Sequence, residues 1–461
     1  MKIRNLLLTG ILGILTAATA GAQTKIFISG APAVRSYITK AIDDVLTSST
    51  SGSITYAFSG NSTVNSANAF ANSNALTFYG GNVTVNGTAE PVTVEVTYVG
   101  SSAGIQDVAS TGTANFLPSG ATPGSSPYAD PTTAGNAGDE EYPIFTASDE
   151  FQQSTPWYGT NTLTGSTVTY QALNDDVAGI IPYRFVASPD APARLTNITP
   201  QQAQVLWETG YIWLSSLTGS TSDSTEAIYA LGRNTGSGLR TILLSETGIG
   251  VETLVKQYEP TVAGTAAPYV ATTQVEYPAG VVNGESLPKG DNGYSSFGNL
   301  DPAISAYTIT NGGNIVGAGS ANPAGATSAI YVTALADADA QTAINNGAHE
   351  LSYNGFYLGG VPYVSGSSQG LLPAGGGASG NLANGQYTFW SYIQLQYQSG
   401  LTTAALTPTS DYPTAEQGAA YAFEQGLFQK LKTADAAVLL QNVNVYRSAD
   451  GGNIFQGNGG Y

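Results

Sequence analysis

The chain has 461 residues, with 32 acidic against 14 basic ones and a formal net charge of −18. It carries no cysteine and a single histidine, His349, which excludes disulfide scaffolds, thiol catalysis, zinc knuckles and histidine-rich metal clusters. The acidic balance argues against a nucleic-acid or anionic-membrane binder, while 42% hydrophobic and 10% charged residues suffice to bury a core.

Residues 1–22 read as an export signal. Lys2 and Arg4 form a positive start, Leu6 to Leu15 an apolar stretch too short to span a bilayer, and Ala20-Gly21-Ala22 a small-residue cleavage site. The expected mature chain begins at Gln23 and lies in the periplasm or outside the cell. It keeps 12 basic against 32 acidic residues, a net charge of −20.

Lys25 to Ile28 reads as a strand, followed by a Ser29-Gly30-Ala31-Pro32 turn. A helix follows, with Val34, Ile38, Ile42 and Val45 on one face. Residues 47–90, rich in Ser, Asn, Gly and Thr, read as a β-hairpin-like insertion. Val92 to Val99 alternates as a strand. Residues 111–141 form a Pro/Gly-rich loop, and Ile180 to Ala187 a further strand. Thr199-Pro200 opens a helix, with a Thr cap and Pro at its first position. Ile330 to Val332 looks strand-like, Ala374 to Gly380 is a Gly-rich linker, and helical patterns lie near 388–398 and 414–432. Strands alternating with helices imply an α/β architecture.

Three segments present hydroxyls and backbone N–H groups after strands. Gly100-Ser101-Ser102-Ala103-Gly104 leaves the first N–H groups of a following helix free, a setting for an anion or for an ordinary turn. Thr146-Ala147-Ser148-Asp149 supplies a carboxylate that accepts from a protonated oxyanion or caps a helix. Arg233-Asn234-Thr235-Gly236-Ser237-Gly238-Leu239 sets a guanidinium fork ahead of a Gly-Ser-Gly turn that a ligand can approach closely.

In this order the three resemble the type II periplasmic substrate-binding proteins, specifically the phosphate-binding component of ABC phosphate transporters. Ile28-Ser29-Gly30-Ala31 looks like that family's first ligand loop, and Gly210-Tyr211-Ile212-Trp213 like a Gly-x-Ile-x-x-Trp stretch. Tyr387 to Tyr392 resembles a late Tyr-Pro-Leu-Trp segment. The resemblance implies a two-lobed α/β fold with two crossover strands near Pro182 and Ile330. Lobe one would be 23–182 with 331–461, and lobe two 183–330.

It further implies a site made of Ser29, Gly30, Ala31, Ser101, Ser102, Asp149, Arg233, Gly236, Ser237 and Gly238. That site would bind an oxyanion, inorganic phosphate first, for delivery to an ABC permease by a monomeric protein without cofactor, metal or catalysis. The departures concern the ligand. Ala31, Pro32 and Ala33 supply no hydroxyl, which leaves Ser29 or Ser36. Thr235 stands where the family has an Asp beside the arginine, and Leu239 replaces a Thr, with Arg240 as a further source of charge.

The alternative is a secreted surface or matrix protein that keeps the fold without transport, in line with 27 tyrosines and long Gly/Ser/Asn stretches. A hydrolase is disfavoured because His349 sits in no nucleophile motif. Asp139-Glu140-Glu141 and Asp175-Asp176 lack EF-hand spacing and read as solvated charge.

Overall fold

A computed structural model describes residues 23–50, 53–60, 73–124, 127–133, 135–308, 310–311, 314–315, 323, 325–399 and 414–457. The expected export signal at 1–22 lies outside them, as do parts of the 47–90 and 111–141 stretches.

Twelve strands form one mixed sheet. In chain order they are β1 (Thr24–Gly30), β2 (Thr55–Phe58), β3 (Ala75–Val85), β4 (Thr88–Thr97), β5 (Phe145–Ser148) and β6 (Leu173–Ala187). Then come β7 (Asn197–Ile198), β8 (Tyr211–Trp213), β9 (Glu226–Ala230), β10 (Ser328–Ala336), β11 (His349–Tyr353) and β12 (Trp390–Gln398). The helices that matter for the site are α1 (Arg35–Ser49), α2 (Ser101–Ser110), α3 (Pro200–Thr209), α4 (Gly238–Thr247), α5 (Phe297–Ile304), α6 (Asp337–Asn345) and α7 (Thr414–Lys430).

The fifteen residues of β6 join two wings of the sheet. Leu173 to Pro182 pair with β12, which leads through β5, β1 and β4 to β3 and β2. From Tyr183 the partners change: Tyr183–Ala187 pair with β10 on one side, and Phe185–Ala187 with β11 on the other. The boundary expected at Ile330 falls inside β10, which pairs with β9 and with β6 in the second wing. The chain re-enters the first wing at β12.

Local chemistry explains most elements. β1, β4 and β5 run parallel, and the burial of Ile26, Ile28, Val92, Val94, Val96 and Phe145 fits strands covered on both faces. α3 begins with a capping box: the Thr199 side chain accepts from the Gln202 backbone while the Gln202 side chain returns to Thr199, with Pro200 in the first turn. α1 buries Ile38, Ile42 and Val45.

The 47–90 stretch divides between elements. α1 runs on to Ser49, and β3 turns through Asn86-Gly87 into β4, in a hairpin that includes Val92 to Thr97. Within 111–141, Ala114–Phe116 pairs with Asp139–Glu141, so that acidic run is a short edge strand. One expectation is corrected. Residues 390–398, read as helical, form central strand β12 between β6 and β5. Its Trp-Ser-Tyr-Ile-Gln-Leu-Gln-Tyr run has the aromatic content of a strand, and from Ile393 to Tyr397 it alternates with the period of two that a strand requires. No helix among the described residues is long and apolar enough to cross a membrane.

Candidate functional site

The turns after β1 and β4, the end of β5 and the turn before α4 converge at the junction of the wings. Ser29, Ser101, Ser102, Asp149 and Ser237 are all buried there. Their groups are largely committed to one another. The Gly30 carbonyl accepts from Gly100 N–H at 3.1 Å, and Ala31 N–H donates to the Ala147 carbonyl at 2.8 Å. Asp149 N–H donates to Ser101 Oγ at 2.8 Å, and the Tyr183 hydroxyl donates to Asp149 Oδ2 at 2.8 Å. Ser102 Oγ donates to Glu150 Oε1 at 2.6 Å.

The two Gly/Ser turns touch directly. Gly100 has φ +126°, a conformation open to glycine, and a Cβ there would lie 2.1 Å from the Gly236 carbonyl. A Cβ on Gly238 would lie 2.0 Å from Asp149 Oδ1 and 2.7 Å from Ser101 Cβ. The carboxylates of Asp149 and Glu150 therefore sit beside the N-terminal turns of α4 and α2, where the resemblance would seat an external anion. Burial raises both above the ordinary carboxylate range; for Asp149 the Ser101 and Tyr183 hydrogen bonds oppose it, and for Glu150 the neighbouring Asp149 adds to it. Ser29 Oγ and Thr146 Oγ1, paired positions on adjacent strands, are buried beneath Gly104 without a hydrogen-bond partner among the described residues.

Arg233 is held by backbone. Its Nε donates to the Tyr294 carbonyl at 3.0 Å and an Nη to the Ser295 carbonyl at 2.7 Å. These carbonyls orient the fork in place of the acidic partner the sequence lacks at Thr235. Burial lowers its pKa to about 10, against the attraction of Asp339 and Asp149. Arg240 does not reach the turns' interior: its Nη groups bind the carbonyl and carboxylate of Asp291.

Sequence reasoning missed three residues here. Arg35, at the start of α1, donates an Nη to Asn74 Oδ1 at 2.5 Å. Asp339, in the first turn of α6, feels both Arg35 and Arg233, and burial lifts its carboxyl to about 6 despite them. Asn74 also donates to Asp130 Oδ2 at 2.6 Å. The available signal was scarcity: with 14 basic residues in the whole chain, an arginine just after the first ligand-like loop merits attention.

Asn74, Tyr98 and Asp130 from the first wing face Ser295, Ser296 and Asn299 from the second across a cavity of about 740 Å³. Each wall is thus backed by a guanidinium, Arg35 behind Asn74 and Arg233 behind Ser295. A second cavity, of about 700 Å³, lies between residues 153–163 and 235–285. Neither is lined by Ser29, Ser101, Asp149 or Ser237. His349 is exposed, with a ring nitrogen 3.1 Å from the Pro189 carbonyl. Among the described residues, no group of three or more His, Cys, Asp or Glu side chains could hold a metal ion.

No protein-family model matches the chain, and no curated protein does. Solved structures share weak similarity. A protein from Clostridium perfringens assigned as a phosphate ABC transporter substrate-binding protein, with bound phosphate, is 13% identical over 88% of this chain and 96% of its own, with a TM-score of 0.36. A phosphate-binding protein from Stenotrophomonas maltophilia is 14% identical over 80% and 81%, with a TM-score of 0.30. Similarity at this level defines neither family nor ligand.

Proposed function

We propose that this chain is an exported solute-binding protein that takes an oxyanion-bearing solute between its wings. Inorganic phosphate is the simplest candidate, and an ABC permease the recipient. The carrying observation is the pair of guanidinium-backed walls, Arg35 with Asn74 and Arg233 with Ser295, facing one cleft. Arginine forks suit planar and tetrahedral oxyanions, and a site between two wings suits capture by closure. On this reading the lobes are 23–182 with the chain from about 354 onward, and 183 to about 353, hinged in β6 and in the return to β12.

The oxyanion would sit on the cleft side of the turns, because their interior is filled by Asp149 and Glu150. A calorimetric titration of refolded, anion-free protein with phosphate, sulfate and arsenate tests the reading. Saturable binding of one of them supports it. No heat with any of them leaves the second reading, a surface or matrix protein without transport, which the direct contact of Gly100 with Gly236 favours.

A further inference from the structure

The 740 Å³ cavity is far larger than an inorganic oxyanion needs and lies within the ~300–1,000 Å³ range of small-molecule sites. Amides and hydroxyls dominate its lining, with Gln106, Asn115 and Asn283 joining the residues named above. Among the described residues, two carboxyl side chains, Asp107 and Asp130, line it and no cation does.

Several of these polar groups are unspent. Among the described residues, the Asp107 carboxyl and the Asn115 amide make no hydrogen bond and Asn283 Nδ2 is a buried donor without a partner. Asp130, in contrast, is occupied by Asn74 and by Thr132. We infer that this cavity is a binding site for a neutral polyhydroxylated solute, a saccharide of one or two rings, with Asp107, Asn115 and Asn283 as its hydrogen-bonding groups.

The chemistry separates this class from its rivals. A hydroxyl both donates and accepts, and so does an amide, so a lining of amides satisfies hydroxyls in either orientation. A carboxylate accepts from vicinal hydroxyls. An inorganic oxyanion fills only a small part of this volume, and a metal ion lacks the ligands among the described residues. A peptide would need apolar side-chain pockets, whereas the apolar lining is confined to Val99, Ala103, Ala114 and the ring of Tyr98. Burial lifts the Asp107 carboxyl to about 8, so near neutral pH much of it is protonated and can donate as well as accept.

This inference does not depend on an oxyanion binding beside Arg35 and Arg233. The test applies saturation-transfer NMR and calorimetry to the full mature chain with glucose, galactose, mannose, N-acetylglucosamine, maltose, cellobiose and lactose. The expected result is saturable binding of at least one, weakened about tenfold or more in both Asn115→Ala and Asp107→Ala. Asn115 is exposed and the Asp107 carboxyl holds no partner, so both variants should melt within a few degrees of the parent. Binding of none of the seven sugars overturns the inference, and so does binding that survives unchanged in both folded variants. A phosphate titration run alongside decides only the oxyanion reading.

Discussion

Gly238 and Asp149 meet across the two wings so closely that glycine is the residue that fits: a Cβ at 238 would stand 2.0 Å from Asp149 Oδ1. The Asp149 side chain cannot swing clear cheaply, since its other oxygen accepts from Tyr183 and its backbone N–H is held by Ser101.

Gly238→Ala should therefore overpack the junction and destabilise the protein by roughly 1–3 kcal/mol. Removing the obstructing side chain in Gly238→Ala/Asp149→Gly should restore part of the loss. Chemical denaturation of both variants checks this. A single variant as stable as the parent would show that the wings part at negligible cost.

Arg184 sets a second expectation. It is fully buried in β6, with Nε on Asp337 Oδ1 at 2.5 Å, Nη1 on Glu350 Oε1 at 2.6 Å and Nη2 on the Gly370 carbonyl at 2.8 Å. Removing one side of such a pair strands the other charge, so Arg184→Ala should cost about 3–5 kcal/mol. A hydrophobic replacement of the whole cluster, Arg184→Met with Glu350→Leu and Asp337→Ala, should cost far less than that. Urea midpoints for the two variants decide between a charge left unpaired and a general packing loss.

These two residues show where sequence reading stopped. Val92 to Thr97, Ile180 to Ala187 and the Thr199-Pro200 helix start were legible because alternation, β-branching and capping chemistry are local. The convergence of Ser29, Ser101, Asp149 and Ser237 was legible as an ordered set of turns. Its closed geometry was not, because the fit of Gly238 against Asp149 depends on how two distant segments dock. Arg184 lay inside a strand that was read correctly, yet its partners Asp337 and Glu350 are more than 150 residues away. β12 carries the alternation of a strand in Ile393-Gln394-Leu395-Gln396-Tyr397, but the adjacent aromatics Phe389 and Trp390 break that period just ahead of it and masked the signal.

Acid should stabilise this protein. Burial lifts Asp450 to about 7 and Glu424 to about 8, above the ~4 of unfolded carboxylates. The folded state then holds more protons than the unfolded one between those values, so stability falls as pH rises from about 4 towards 8. Asp223 has the opposite sign. Its bonds to Arg194 lower it to about 2, so its contribution is lost as pH falls below about 4. Melting temperature is expected to peak near pH 4–5 and decline towards pH 8, with a shallower decline in Asp450→Asn. A melting temperature that climbs steadily from pH 5 to pH 8 would contradict the assignment.

The oxyanion reading makes its sharpest prediction at Asp339, whose carboxylate feels both Arg35 and Arg233 and repels any anion placed between them. Sulfate is the right probe, because it does not itself titrate between pH 5 and pH 8. With the Asp339 carboxyl lifted to about 6, the repelling charge is mostly gone at pH 5 and fully present at pH 8. The parent should therefore bind sulfate more tightly at pH 5, while Asp339→Asn should show a smaller difference between the two values, the remainder coming from Asp107, and should bind it more tightly than the parent at pH 8. Arg35→Ala and Arg233→Ala should each weaken sulfate by less than the ~2–5 kcal/mol of a directly contacting buried pair, because both guanidinium groups stand behind the cavity walls. Arg233→Ala should also lower the melting temperature, since it releases the Tyr294 and Ser295 carbonyls. Calorimetry at the two pH values separates these contributions. Sulfate affinity independent of pH in the parent, or untouched by loss of either arginine, would place the anion elsewhere or nowhere on this chain.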